Sequence, residues 1–329
     1  LKVLIALTIA LAALPVQASN ITVSNWAPLY QGVDYATASI SGADASAAYG
    51  VRVDLAAPGI GFFTTPKGGS LNTISETTSQ FLVNSGAQVA INANFFAPCC
   101  NAFPENKTVI GLAVSNGTVV APPNSASQGN NIALLLSHTN QASIVATTPT
   151  MDLSNVYNAV AGSTLLVQSG ANVVPASGGG SLFDPNPRSD LGISQNGQYL
   201  YLVAIDGRQP GYSAGTTMTE TADMMIAFGS YVALNLDGGG STALVKSNGS
   251  GGAVDLNRPS GGTERYDAND LAVFALPLTA PEPATWALLA IALLLTAVGV
   301  VRRRKSHETE PAEKQSLADA RGSLAEPRP

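Results

Sequence analysis

The sequence has little charge, almost no sulfur and few histidines. Only 12% of its 329 residues are Asp, Glu, Lys or Arg, about half the share of an ordinary soluble domain. Its two cysteines are adjacent, Cys99 and Cys100, so no framework of disulfides staples the chain. With two histidines, a zinc site of the Cys/His kind lacks its ligands. The 16 basic residues are outnumbered by 22 acidic ones, so the basic footprint of a nucleic-acid binder is missing. Wholesale disorder is excluded by the 45% of hydrophobic residues.

The two ends have their own character. Lys2, the apolar run Val3 to Leu14 and the small-residue site Val16-Gln17-Ala18 read as a secretory signal over residues 1–18. Near the other end, Pro281-Glu282-Pro283 precedes an uncharged stretch, Ala284 to Val301, and then Arg302-Arg303-Arg304-Lys305. An apolar span beside a basic cluster predicts a transmembrane helix over 284–301 with its arginine end in the cytoplasm. The order Pro-Glu-Pro, span, arginines resembles the PEP-CTERM sorting signal of Gram-negative bacteria. That resemblance implies an exosortase and the secretion machinery as partners, and a protein exported to the cell envelope or surface. Residues 306–329 read as a disordered polar tail.

The ectodomain, 19–280, is acidic, with eight Lys and Arg against sixteen Asp and Glu between Ser19 and Pro281. Strand-like runs rich in Val, Ile, Leu and Tyr occur at 48–55, 87–91, 132–136, 164–168, 199–205, 231–236, 242–245 and 271–276. Thr217 and Glu220 have capping-box spacing, Met218, Ala222, Met225 and Ile226 form an apolar stripe, and Gly229 sits where a helix stops. A helix between the runs at 199–205 and 231–236 predicts a βαβ unit. The expected class is therefore α+β, with a mixed sheet and few helices. Both strands end in an acid followed by glycine, Asp206-Gly207 and Asp237-Gly238. In a parallel pair both acids emerge at one edge, where ligands bind in such sheets.

Asp237-Gly238-Gly239-Gly240-Ser241-Thr242 is expected to bring backbone N–H groups close to a ligand. Four of the five ectodomain arginines, Arg188, Arg208, Arg258 and Arg265, lie among the Gly-rich turns between 188 and 265. Arginine suits bidentate binding of phosphate or carboxylate. Asn92 and Asn94 alternate with Ala93, which points both amides to one face, where they suit sugar hydroxyls. Phe95 and Phe96 read as core.

As a set, Ile205-Asp206-Gly207-Arg208-Gln209, Ser213-Ala214-Gly215-Thr216 and Leu234-Asn235-Leu236-Asp237-Gly238-Gly239-Gly240-Ser241-Thr242 closely resemble the phosphodiester glycosidase family, to which the mannose 6-phosphate uncovering enzyme belongs. Ile91-Asn92, Phe95-Phe96, Pro187-Arg188, Asn257, Pro259-Ser260, Glu264-Arg265 and Asn269 follow in family order. The resemblance implies a hydrolase that cleaves the glycosidic bond of a sugar-1-phosphodiester in a glycoconjugate or exopolysaccharide. It carries over Asp206, Asp237 and Glu264 as catalytic acids. Asn92, Asn94, Arg188, Arg208, Gly238, Gly239, Ser241 and Arg265 are the substrate-binding candidates. No cofactor is demanded, although a calcium ion held by Asp237 and nearby oxygens is compatible with the chemistry. Two departures stand out. Asn92-Ala93-Asn94 replaces an Asn-Gly turn, and Ser189-Asp190 replaces Thr-Ala after Arg188. A glycan-binding matrix protein and a metal-dependent phosphodiesterase are the alternative readings.

Overall fold

The chain divides into two units, Leu1–Leu278 and Thr279–Pro329. The computed structural model describes residues 20–42, 45–175 and 183–278, all within the first. The expected signal peptide, sorting signal, transmembrane helix and polar tail lie outside the described residues. Among the described residues no helix is long and apolar enough to cross a membrane.

The described chain is mostly β, which corrects the α+β expectation. A nine-stranded sheet contains, in spatial order, Ser46–Asp54, Tyr199–Ile205, Arg188–Ile193, Val232–Asn235 and Thr164–Gln168. Two five-stranded sheets complete the main architecture. One orders Leu244–Ser247, Val89–Asn92, Asp270–Phe274 and Gly61–Thr64, and the other is built on Ile132–Leu136 and Asn158–Gly162. Every pairing between these named strands is antiparallel.

The sheet is therefore not mixed, and Tyr199–Ile205 and Val232–Asn235 do not pair directly. Arg188–Ile193 lies between them and pairs with both. The reason is local. Arg188–Ile193 and Tyr199–Ile205 are joined by a short turn and pair as a hairpin, which fills the place beside Tyr199–Ile205 that the later strand would take in a βαβ unit. Because both outer strands run antiparallel to the middle one, they run parallel to each other. Their C-terminal ends, and the start of the middle strand, meet at one edge. Arg188 stands opposite Ile205, and Asp190 opposite Asn235.

The expected helix is present as Met218–Phe228. Thr217 caps it reciprocally with Glu220, and Gly229 ends it in a left-handed conformation at φ 112°. A second helix, Thr78–Ser85, carries the same device with Thr77 and Gln80 and stops at Gly86.

Tyr199–Ile205 shows why the strands read as continuous apolar runs. Leu200, Leu202 and Ala204 enter the core between the sheets, with Val89, Ile91, Leu244 and Leu271 of the facing sheet. Tyr201, Val203 and Ile205 pack on the other face with Met218, Ala222, Met225 and Phe228 of the helix. A strand buried on both faces loses its alternation. Each fully buried leucine here contributes roughly 1.5–3 kcal/mol. The helix Thr78–Ser85 likewise sets Phe81 and Leu82 on Ala90, Val245 and Ala272.

Candidate active site

The shared edge opens into a pit of about 160 Å³. Arg188, Arg208, Arg265 and Asp237 line it, with Gly238, Gly239 and Gly240 along one side. The register explains the meeting. Arg188 opens the middle strand, while Arg208 and Asp237 follow the ends of its two neighbours.

Asp237 is the carboxyl among the pit-lining residues. Burial pushes its pKa up to about 6, against the lowering effects of a Ser241 hydrogen bond, the Arg265 charge and the Gly238 N–H. Ser241 is buried, and its hydroxyl also accepts from Arg265 at 3.4 Å. The Asp237 backbone is fixed too, since its carbonyl accepts from Asn92 Nδ2 at 2.8 Å.

Each arginine is held differently. Arg188 is buried, and it donates through Nε to the Thr216 carbonyl at 3.1 Å and through Nη2 to the Asp184 carbonyl at 2.7 Å. Burial, and then the nearby Arg208 charge, lower its pKa against the opposing Asp190 and Asp184 charges. Arg208 donates through Nε and Nη2 to Asn186 Oδ1, at 3.0 and 2.7 Å. Its backbone sits at φ 58°, a region that costs a non-glycine residue about 1–2 kcal/mol. Its N–H bonds the Ala214 carbonyl at 3.1 Å, which holds that conformation.

The glycine loop does something other than expected. The N–H of Gly238 donates to Asp237 Oδ1 at 3.0 Å, and that of Gly239 to the Pro187 carbonyl at 2.9 Å. Both are turned inward rather than toward a ligand. What the loop supplies is room. A Cβ on Gly240 would stand 2.2 Å from Arg265 Nη2, and one on Gly238 2.6 Å from the Pro187 carbonyl oxygen.

Several other candidates hold the site without lining the pit. Asp206 is buried, and its carboxylate accepts from Asn257 Nδ2, the Arg258 N–H and the Tyr212 hydroxyl at 2.9–3.1 Å. Burial raises its pKa and these bonds lower it. Asn92 Oδ1 accepts from the Ser189 hydroxyl at 2.6 Å and the Ala243 N–H at 3.1 Å. Asn94 donates to the Ile110 and Leu112 carbonyls and accepts from the Ala161 N–H and Asn269. Both amides thus satisfy buried loop backbone, as a buried amide must. Glu264 lines a wider groove beside the pit and accepts from the Ser79 N–H at 2.8 Å and from the Ser79 hydroxyl.

Sequence reasoning missed three residues. Phe95 lines the pit, whereas Phe96 alone is core. Asn186 anchors Arg208, and its place before Pro187-Arg188 was the available signal. Asp190 lies two residues beyond Arg188 on the same strand, fully buried with neither carboxylate oxygen hydrogen-bonded. Burial raises its pKa well above the usual range, although the Arg188 charge opposes this. The unfolded chain ionises at about 3.9. The cost of holding a proton on Asp190 is thus absent below that pH and grows as pH rises toward the folded value. Asp190→Asn is expected to gain stability relative to the wild type as pH rises from about 4 to 7, because the asparagine has no proton to hold. Urea unfolding at both pH values checks this.

Among the described residues no group of three His, Cys, Asp or Glu is gathered as a metal site, and Asp237 shares the lining of the pit with Arg188, Arg208 and Arg265.

Three guanidinium groups and one carboxyl thus line a narrow pit. Residues 85–274 match the family model described as phosphodiester glycosidase. The chain belongs to the phosphodiester glycosidase family, whose activity is that of a hydrolase.

The fold is shared with solved structures. One is a hypothetical protein from Synechocystis, at TM-score 0.57 and 18% identity over 74% of this chain and 62% of that one. The chain thus spans 62% of the Synechocystis protein. Another is the catalytic domain of zebrafish N-acetylglucosamine-1-phosphodiester alpha-N-acetylglucosaminidase, auto-inhibited by its pro-peptide. It matches at TM-score 0.57 and 15% identity over 78% and 88% of the two chains. A putative exported protein from Burkholderia pseudomallei matches at 0.55 and 16% over 78% and 97%. No curated protein matches the chain.

Proposed function

We propose that this protein hydrolyses the glycosidic bond of a sugar-1-phosphodiester in a glycoconjugate or exopolysaccharide. The observation that carries this reading is the single carboxyl, Asp237, in a pit lined by Arg188, Arg208 and Arg265. Membership of the family supports a phosphodiester-linked glycan as substrate.

In this reading the arginines hold the phosphate and stabilise the charge it gains as it leaves. A phosphate leaving group needs little protonation, so a second carboxylic acid is dispensable. Asp237 takes a proton from water as the water oxygen bonds to the anomeric carbon. The carbon–oxygen bond to phosphate breaks, and its electron pair leaves with the phosphate monoester. One direct displacement inverts the anomeric centre. Asp206 and Asn92 act as positioning residues that fix the surrounding loops. The site of action is outside the cytoplasm, a placement supported by the sequence signals at the chain ends alone.

The test incubates the full chain with a panel of sugar-1-phosphodiesters and follows products by NMR. Free sugar, first seen as the inverted anomer, is expected. Release of sugar phosphate overturns the reading in favour of phosphorus–oxygen cleavage. No turnover with saturable binding makes the protein a glycan-binding module.

A further inference from the structure

A second groove lies away from the pit, at one end of the five-stranded sheet built on Ile132–Leu136 and Asn158–Gly162. Its volume is about 670 Å³, and it shares Ser137, Gln141, Asn155 and Val156 with an adjoining hollow of about 380 Å³. Two connections of the sheet supply most of its lining, the turn 137–141 and the segment 153–157.

Both connections are fixed through their backbones. In the turn, the Ser137 N–H donates to the Gln141 carbonyl at 2.9 Å. The Ser137 hydroxyl accepts from the N–H groups of Thr139 and Gln141 at 3.3 and 3.1 Å. Asn140 takes the left-handed conformation at φ 60° and ties the turn to the Ile60 carbonyl through Nδ2 at 2.8 Å. The Tyr157 N–H donates to the Leu136 carbonyl at 2.8 Å, and the Tyr157 carbonyl accepts from the Gly117 N–H at 2.7 Å. The side chains are left for another use. Among the described residues no hydrogen bond engages the side-chain amides of Gln141 and Asn155 or the Tyr157 hydroxyl. His138 meets the half-buried Tyr157 ring edge-on, with centroids 4.7 Å apart and planes at 72°. A frame ordered in advance lowers the cost of binding.

The lining chemistry selects the ligand. Neither Lys nor Arg lines the groove or the hollow. Asp152 lines the hollow, and its carboxylate accepts from the Ser154 N–H and hydroxyl at 2.9 and 3.0 Å. A phosphate would meet that carboxylate with no cation to offset it. An apolar ligand would strip water from the two amides and leave them unpaired. Neighbouring hydroxyls of a saccharide can bond an amide as donor and acceptor together, while the apolar face of a sugar ring covers Tyr157.

One strand links this groove to the pit. Tyr157, which lines the groove, immediately precedes Asn158–Gly162. At the other end of that strand, a Cβ on Gly162 would stand 2.0 Å from the carbonyl oxygen of Asn235, a pit-lining residue. Five residues of strand span about 17 Å.

We propose that this groove is a second, non-catalytic binding site for a neutral saccharide chain, with Gln141, Asn155 and Tyr157 as its contacts. Binding there is independent of the chemistry at the pit. If the pit cleaves a glycan phosphodiester as proposed above, the groove holds the same polymer and raises the local concentration of its scissile bond.

The test titrates the isotopically labelled full chain with neutral hexasaccharides of glucose, mannose, galactose and N-acetylglucosamine and follows side-chain amide signals by NMR. The Gln141 and Asn155 signals are identified by their loss in Gln141→Ala and Asn155→Ala. They are expected to shift saturably with at least one hexasaccharide, at a Kd of about 1 mM or tighter. The double variant should weaken that binding about tenfold, the worth of one or two hydrogen bonds. Both side chains are exposed, so the double variant should keep its fold and its turnover of a small sugar-1-phosphodiester. Arg208→Ala, in the pit, should leave the saccharide affinity unchanged. The proposal is overturned if no hexasaccharide moves these signals, if the double variant binds as the wild type does, or if binding is lost in Arg208→Ala instead. A shift of the same signals by inorganic phosphate in place of saccharide also overturns it. Saccharide binding without cleavage of any diester removes only the functional reading, and cleavage without binding here removes only this proposal.

Discussion

Replacing Asp237 by asparagine is expected to lower kcat/KM on a sugar-1-phosphodiester by about 10²–10⁴, the usual worth of a positioned general base. Asparagine keeps the shape and an acceptor for the Gly238 N–H, so the loop should survive. What is lost is a group able to take the water proton. The pH dependence makes the test specific. With its pKa raised by burial to about 6, Asp237 is a base only above that pH. The wild-type kcat/KM should therefore rise with pH through about 6 and then level off. Ser241→Ala and Arg265→Ala each remove an influence that lowers this pKa, so each should move the limb upward. A flat profile in the wild type, or near-normal rates for Asp237→Asn, would remove Asp237 from the chemistry.

Arg208→Ala should cost about 10²–10³ in kcat/KM, the loss seen when one donor to a developing anion is removed. Arg208 is the sharper choice among the three arginines. Arg188 is tied into buried backbone carbonyls, and removing it would disturb the fold as well. Arg208 instead reaches the pit from an exposed turn and hangs on Asn186. Asn186→Ala should reproduce part of the loss through KM, because it frees the guanidinium without deleting it. Steady-state kinetics on both variants, with circular dichroism to confirm folding, decides between a phosphate-binding role and a merely structural one.

Much of the local structure was legible in the sequence. The strands 132–136, 164–168 and 199–205 fall where their Val, Ile, Leu and Tyr runs end. The helix after Thr217 begins and ends at its capping box and Gly229, because such caps are decided by neighbours in the chain. The helix Thr78–Ser85 carries the same signal in Thr77 and Gln80. Sheet order was not legible. Alternation and apolar runs say that a strand is buried, but not which strand lies beside it. A hairpin partner took the place that a βαβ reading assigns to a later strand.

The same division runs through the site. Residue types and their order pointed to Asp206, Asp237 and the arginines Arg188, Arg208 and Arg265, because few charges exist in this chain and these cluster at glycine turns, and the family resemblance added Glu264. Only the tertiary structure decided which of them line the pit. Asp206, Asn92 and Asn94 look like ligand groups in sequence. In the fold they bond buried N–H and carbonyl groups of converging loops, since leaving a polar group buried and unpaired is costly. Asp237 is left open to the pit because its own loop of three glycines leaves room for Arg265 beside it. Sequence determines which groups are present and how each segment starts and stops. Which of them are consumed in holding the fold is decided by three-dimensional neighbours far apart in the chain.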